Sequence, residues 1–181
     1  MRRLLLLRHA KAETAKPGRR DHDRILAERG RSDAERLGVY LSRHALVPEQ
    51  ALVSDSARTR ETWTLLARAL EPRFDDADAE RVRVDSRIYE AAPETILQAI
   101  RETGPQVGTL LVVGHNPGLQ QLAAVLIASG DVDARQRLQE SFPTAALAVI
   151  HFATDDWAQV HPSGGRLEHF ITPRWLKSSA D

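Results

Sequence analysis

The sequence lacks cysteine altogether, has a single methionine, and is poor in aromatic residues, which make up 5% of its 181 residues. Without cysteine the chain can form no disulfide, no thiolate metal site and no cysteine nucleophile. These absences fit a reducing compartment. The length fits one domain with a core of its own, spanning residues 1–181.

The sequence also lacks an excess of either charge and any long hydrophobic run. Its 25 basic residues balance 25 acidic ones, so the charge balance gives no support for a nucleic acid or a membrane surface as partner. The apolar run from Leu4 to Leu7 is shorter than the ~7–15 residues of a secretory signal core. No stretch approaches the ~20 apolar residues of a transmembrane helix. We therefore expect a soluble, cytoplasmic protein that binds neither nucleic acid nor membrane.

An arginine and a histidine end the apolar run near the start of the chain. Leu4 to Leu7 show no polar alternation, which is typical of a parallel-sheet strand covered on both faces. Ligands of open parallel sheets bind just outside the carboxyl ends of the strands, and Arg8 and His9 stand at such an end. A permanent cation beside a potential nucleophile suits chemistry on an anion, and on a phosphoryl group in particular.

Strand-like and helix-like segments alternate along most of the chain. Apolar residues at helical spacing predict helices over about 32–43, 63–70 and 119–126, and apolar runs predict strands at 51–54 and 109–113. This alternation predicts an α/β fold. We expect a three-layer sandwich in which a mostly parallel central sheet carries helices on both faces.

Two further segments carry separate predictions. The acidic stretch 75–80 predicts a solvated loop. The C-terminal part of the chain is richer in strand-like segments, with a strand over 145–152. The segments 157–161 and 167–171 predict a hairpin around the turn 162–165. This hairpin would form either an exposed sheet edge or a dimer contact.

Two more predicted strands lead to residues of the same chemistry as the first. The strand that ends at Ser54 leads to Arg58 at a helix start, and the strand 109–113 leads to His115 at another. If the three strands are parallel neighbours, two arginines, two histidines and two helix N-termini meet at one sheet edge. This arrangement is an electrostatic cradle for a phosphoryl group. One histidine would attack phosphorus and the other would donate to the transferring oxygens, and spacing alone assigns neither role.

Other polar residues near these strand ends have two interpretations. Asn116 either caps the following helix, which Pro117 would open, or contacts the substrate phosphate. Asp21, His22 and Asp23 are residue types that bind metals, but a solvated charged loop explains them better. Since arginines supply the charge that phosphate chemistry needs, we expect no metal and no cofactor.

These residues resemble a known family. The segment from Leu7 to Lys11 resembles the Arg-His-Gly signature of the histidine phosphatase superfamily, also called phosphoglycerate mutase-like. The alanine at position 10, where the wider family has glycine, resembles the short SixA-like phosphohistidine phosphatases. Three later segments are similar to the family's remaining motifs in order and spacing: 23–30, 54–62 and 113–117. The first of these three departs from the family pattern at its third and fifth residues.

The resemblance implies a role for each matching residue. His9 would be the phosphorylated nucleophile, and Arg8, Arg58 and His115 would complete the phosphate pocket. Many relatives use a carboxylic general acid, and Glu90 is the candidate here. Cleaving a P–N bond expels imidazole, a better leaving group than an alkoxide, so a dedicated acid matters less for phosphohistidine. A Glu90 remote from His9 would therefore favour a phosphohistidine substrate.

The resemblance thus implies a phosphatase that works through a phosphohistidine enzyme intermediate on His9, with phosphohistidine on a protein as its substrate. A small-molecule phosphate ester phosphatase, or a phosphotransferase of the mutase type, is the alternative among enzymes. A non-catalytic module that binds phosphate or protein is the alternative of another class. The short chain leaves little room for a substrate lid, which favours a phosphorylated protein over a small phosphorylated molecule as partner. We expect a monomer or a weak homodimer.

Overall fold

The computed structural model describes residues 1–70 and 81–179, so the predicted acidic loop over 75–80 lies outside the described residues. Within them the chain forms seven strands: β1 (Arg2–Arg8), β2 (Gln50–Val53), β3 (Val82–Val84), β4 (Thr109–Gly114), β5 (Ile127–Gly130), β6 (Leu147–Phe152) and β7 (Gly165–Ile171). The same residues form six α-helices: α1 (Glu28–Arg43), α2 (Ala57–Arg68), α3 (Pro93–Arg101), α4 (Gly118–Leu126), α5 (Val132–Glu140) and α6 (Pro173–Ser178). No helix in this described part is long and apolar enough to cross a membrane.

The strands form one mixed sheet in the order β3-β2-β4-β1-β6-β7-β5. The neighbours from β3 to β1 pair in parallel, and so do β7 and β5. The strand β6 runs antiparallel to both β1 and β7. The predicted α/β fold with a mostly parallel central sheet is confirmed.

Two hydrophobic cores sandwich the sheet. Leu4 and Leu6 of β1 face one core together with apolar residues of α3, α4 and α5. Leu5 and Leu7 face the other core together with α1 and α2. Because successive side chains of a strand point to opposite faces, the unbroken leucine run is buried on both sides. The prediction of a three-layer sandwich is confirmed.

The carboxyl ends of three parallel strands are level with one another. Arg8 pairs with Gly114 in the β1–β4 register, and the backbone N–H of His9 donates to the Gly114 carbonyl at 3.0 Å. The Ser54 N–H donates to the Val113 carbonyl at 3.0 Å, which aligns the end of β2 with that of β4. The fold therefore brings the three polar strand ends to one edge of the sheet.

The predicted C-terminal hairpin is wrong. The segment 157–159 is a turn of 3₁₀ helix in which buried Trp157 donates its indole N–H to the Val107 carbonyl at 2.6 Å. The strand β7 pairs with β6 instead, and β5 covers its other side, so β7 is not a sheet edge. A buried indole N–H needs a hydrogen-bond acceptor. Because Trp157 finds its acceptor in the core, the segment 157–159 packs there and does not join the sheet.

Two helix starts also differ from the predicted ones. Helix α1 begins at Glu28, four residues before the predicted start at Ser32, because Leu26 and Gly30 pack under the loop that follows β1. Helix α4 begins at Gly118 with Pro117 as its N-cap residue, one position later than predicted. The Asn116 side chain still accepts from the N–H of Gln120 in the first turn.

Candidate active site

His9 follows the last residue of β1 and presents one ring nitrogen to the site. Its Nδ1–H donates to the Ala10 carbonyl at 2.8 Å, and a carbonyl oxygen can only accept. The proton therefore sits on Nδ1, and Nε2 carries the lone pair. Arg58 donates from Nε to this Nε2 at 3.3 Å. The backbone thus fixes the tautomer that a nucleophilic imidazole requires.

Burial also keeps the His9 ring neutral. The side chain is 7% exposed, and burial lowers the pKa of His9 to about 4, assisted by the charges of Arg58 and Arg8. Desolvation disfavours the charged imidazolium, and neighbouring cations disfavour it further. The ring is therefore uncharged at neutral pH, with a free lone pair.

Arg58 lies at the centre of the cluster. It is the second residue of α2, whose first turn is capped by Ser56, and it is 1% exposed. Its Nη2 donates to a carboxylate oxygen of Asp21 at 3.0 Å and to one of Glu90 at 3.1 Å. Its Nη1 donates to the Asp21 carbonyl at 2.8 Å. The guanidinium therefore offers a directed fork beside His9, a geometry that matches phosphate oxygens.

The second histidine lies across Arg58 from the first. The rings of His9 and His115 have centroids 5.3 Å apart. Arg58 Nη2 donates to His115 Nδ1 at 3.3 Å, and His115 Nε2 is 2.7 Å from the Ser54 hydroxyl. Burial, together with the charges of His9 and Arg58, lowers the pKa of His115 to about 3. Both rings are therefore neutral in the same small space, where two imidazolium charges would repel each other.

Arg8 holds the loop that borders the site. Its Nη1 donates to the Phe142 carbonyl at 3.0 Å, and burial lowers its pKa. Asn116 donates from Nδ2 to the same carbonyl at 3.0 Å and to Gln120 at 3.3 Å. Its Oδ1 accepts from the backbone N–H of Gln120 at 3.3 Å, in the first turn of α4, which agrees with the capping alternative. Its phosphate-binding role stays a prediction. Asn116 fastens the segment after α5 to the turn before α4, where a short polar side chain finds local backbone partners.

Glu90 lies at the mouth of the cluster, not remote from it. One of its carboxylate oxygens is 3.1 Å from Arg58 Nη2 and 3.6 Å from His115 Nδ1. Its backbone has φ of +49°, in the left-handed region that is costly for a residue with a Cβ. This backbone conformation places the Glu90 carboxylate beside Arg58 and His115.

The sequence pointed to neither Asp21 nor Tyr89 as site residues. Tyr89 donates its hydroxyl to Asp21 Oδ2 at 2.7 Å, and its ring lies edge-on to His115 with centroids 5.2 Å apart. The hydrogen bond from Tyr89 and the charge of Arg58 lower the pKa of Asp21 to about 2. Asp21 begins a single turn of 3₁₀ helix and Tyr89 directly follows another, and such short turns have no periodic sequence pattern. The only sequence signal was their position beside a predicted motif or beside Glu90.

The charged side chains of the loop after β1 pair with other side chains of the protein. Asp21 binds Arg58 and Arg24, and Asp23 binds Arg20. His22 Nε2 is 3.0 Å from an Asp55 oxygen. Over the described ranges, no group of three or more His, Asp or Glu side chains is placed to hold a metal ion.

Comparisons with known proteins agree with this geometry. The profile of the histidine phosphatase superfamily (branch 1) matches residues 4–90. An uncharacterized protein of Mycobacterium tuberculosis, Rv1276c, is 39% identical over 171 residues, which are 93% of this chain and all of that protein.

Solved structures show the same fold. A candidate phosphohistidine phosphatase SixA from Agrobacterium tumefaciens is 32% identical, with a TM-score of 0.78 over 95% of this chain and 98% of that one. A candidate SixA from Nakamurella multipartitia is 27% identical, with a TM-score of 0.79 over 95% of this chain and 96% of that one. The chain therefore belongs to the histidine phosphatase superfamily, in its SixA-like branch.

Proposed function

We propose that the protein hydrolyses phosphohistidine on a phosphorylated protein, with His9 as the nucleophile. A phosphatase is the coarser activity that the superfamily and its SixA-like neighbours support. The observation that carries the mechanism is the neutral His9 ring, with its Nε2 lone pair 3.3 Å from Arg58 at the end of β1. The SixA-like neighbours support phosphohistidine as the substrate.

In the first proposed step, His9 Nε2 attacks phosphorus, a bond from this nitrogen to phosphorus forms, and the P–N bond of the substrate breaks. Arg8 and Arg58 stabilise the equatorial oxygens, with Arg58 exchanging its carboxylate and His115 partners for phosphate oxygens. His115 then donates from Nδ1 to a phosphate oxygen, and the Ser54 hydroxyl donates to its Nε2. The expelled substrate imidazole takes up one proton from solvent, and the hydrolysis that follows returns one proton to solvent. In the second step, water attacks the phosphorylated His9, releases inorganic phosphate, and returns the ring to its neutral form.

Two features of the site's rim support a protein substrate. The side chains of Asp21 and Glu90 at the mouth are each about half exposed, at 50% and 49%. The pocket therefore opens directly to solvent, where a phosphorylated side chain of another protein has access. The neutral His9 needs no metal to act, because Arg8 and Arg58 supply positive charge.

The position of Glu90 favours a second candidate, a phosphatase for phosphate esters. An ester releases an alkoxide that needs a proton, and a carboxyl group beside the pocket could supply it. Glu90 lies within 3.6 Å of His115 and shares Arg58 with it. The two candidates therefore differ in whether catalysis depends on Glu90.

A substrate panel tests the proposal. Wild-type protein is given a phosphohistidine protein, phosphoserine peptides and sugar phosphates side by side, with His161→Ala as an exposed-histidine control. We expect kcat/KM on the phosphohistidine protein to exceed the others by at least roughly a hundredfold, in wild type and control alike. Equal or faster turnover of phosphoserine or sugar phosphate would instead establish the ester phosphatase.

A further inference from the structure

A groove lies next to the site and belongs to none of the contacts described so far. It is about 620 Å³ in volume and runs between the segment after α5 and helix α6. Its lining includes Phe170 and Trp175, which give it an apolar floor. The segment 141–144 forms one wall.

The segment 141–144 is also hydrogen-bonded to Arg8, and the residue that follows it is hydrogen-bonded to Arg8 and His9. Phe142 within it accepts from Arg8 at 3.0 Å, and the next residues lead to Ala145. The Ala145 N–H donates to the carbonyls of both Arg8 and His9, at 3.1 and 3.0 Å. Ala145 has φ of +59°, a strained conformation that turns the wall toward these two carbonyls. One end of the groove therefore lies within a few residues of the nucleophile.

The groove is basic. Arg29 of α1, Arg137 of α5 and Arg174 of α6 line it, and all three are exposed. Glu140 is the one acidic residue of the lining, and it accepts a hydrogen bond from Gln136 at 2.8 Å. Arg29 also forms an ion pair with Asp33, with 3.8 Å between Nε and Oδ2. Because the chain as a whole has no net charge, Arg137 and Arg174 still make the groove a local concentration of positive charge. Such a surface attracts and orients an acidic partner.

We propose that this groove binds an acidic segment of the substrate protein, next to the phosphorylated side chain that enters the pocket. The inference rests on the proposed function for the identity of the partner. The arginines would pair with glutamates and aspartates of that segment, and Phe170 and Trp175 would take an apolar side chain among them. Binding at the groove would hold the phosphoryl group over His9 and lower KM for the protein substrate.

The first test measures binding without phosphate chemistry. A fluorescein-labelled peptide rich in glutamate, with one leucine, is titrated with the protein at low salt and followed by anisotropy. Trp175 is 39% exposed, whereas Trp63 and Trp157 are buried, so acrylamide quenching of tryptophan emission reports on the groove. We expect binding that protects Trp175 from acrylamide and that weakens as salt rises.

Matched double variants locate the binding. The double variant Arg137→Ala/Arg174→Ala should bind the peptide with roughly fivefold lower affinity. Arg36→Ala with Arg43→Ala removes the same charge from a second groove, on the other side of Trp175, and should leave the affinity at the wild-type value. No binding, or equal loss in both pairs, would overturn the groove as the site.

The second test uses turnover and separates the two proposals. In the double variant Arg137→Ala/Arg174→Ala, the ratio of kcat/KM on a phosphohistidine protein to kcat/KM on an aryl phosphate should be roughly fivefold lower than in wild type. An unchanged ratio with an active wild type overturns the groove and leaves the proposed function standing. Peptide binding at the groove by a wild type that does not turn over any phosphohistidine protein overturns the proposed function and supports the acidic-segment site.

Discussion

At the scale of the residue, the mechanism depends on the protonation state of two buried histidines. Burial lowers the pKa of His9 to about 4 and that of His115 to about 3. A nucleophilic imidazole must be neutral, and an ordinary histidine would lose that form below pH 6.5. The site instead keeps the His9 ring neutral well into the acid range.

This protonation state predicts the acid limb of the activity profile. With an aryl phosphate, which is stable in acid, kcat/KM should hold down to about pH 5 and fall as the pH passes through about 4, where His9 becomes charged. Steady-state measurements of kcat/KM over this pH range test the prediction. The values are corrected for the ionisation of the substrate's own phosphate group. An acid limb centred near 6.5 would show that His9 titrates as an exposed histidine.

Replacing Glu90 by glutamine separates its two possible roles. The substitution keeps the shape of the side chain but cannot deliver a proton. Since an imidazole leaving group needs less help than an alkoxide, we expect turnover of a phosphohistidine protein within about threefold of wild type. We expect turnover of an alkyl phosphate ester to fall about a hundredfold. Glu94→Gln, on α3 beyond the pocket, is the matched control, and equal losses on both substrates would contradict this assignment.

At the scale of the element, the close approach of α1 to the loop after β1 positions His9. A Cβ at Gly30 would overlap the carbonyl oxygen of Lys11, two residues beyond His9. The Ala27 N–H donates to that carbonyl at 2.9 Å. On the other side of the loop, the Ala10 N–H donates to Thr62 of α2 at 3.0 Å. The catalytic loop is therefore held between two helices.

Gly30→Ala should disturb both stability and the site. Because the obstructing atom belongs to the backbone, the helix or the loop must move, and we expect a loss of about 2–4 kcal/mol in the free energy of unfolding. We also expect a lower kcat, since the loop carries His9. Denaturant unfolding and steady-state kinetics measure the two effects, with Arg36→Ala on the exposed face of α1 as control. A Gly30→Ala protein with the same free energy of unfolding as wild type would show that the close approach of α1 to the loop does not matter for stability.

The sequence could predict the elements whose patterns are local. The leucines of β1 are buried on both faces as expected, and Arg8, Arg58 and His115 stand at level strand ends because parallel strands share an edge. The partner of β7 was predicted wrongly, because the segment 157–161 between β6 and β7 has a strand-like pattern but packs Trp157 into the core as a 3₁₀ turn. Asp21 could not be assigned either, because its contacts depend on how an irregular loop folds over α2.

At the scale of the whole molecule, the two neutral histidines make stability depend on pH. In the unfolded chain they would take up protons near pH 6.5, whereas in the fold they resist until about pH 4 or below. Between those values the unfolded state binds more protons, so the free energy of unfolding falls as the pH falls. The stabilisation is complete above pH 6.5 and is lost as the pH decreases toward 4.

Thermal or denaturant unfolding of wild type and His9→Ala tests this linkage. The variant should lose less stability between pH 6.5 and 4, by roughly 3 kcal/mol over the window. Comparing the two proteins cancels the many other groups that titrate. Parallel curves for wild type and His9→Ala would contradict a buried, neutral His9.

The central claim, that His9 carries the phosphoryl group during turnover, is tested most directly by trapping the intermediate. Wild-type protein is mixed with a phosphohistidine protein, quenched rapidly in alkali, and analysed by peptide mass spectrometry. The account predicts one acid-labile, alkali-stable phosphate on His9, formed fast enough to account for kcat and absent in His9→Ala, which should retain the fold and lose turnover. Phosphate on another residue, or full turnover by His9→Ala, would contradict it.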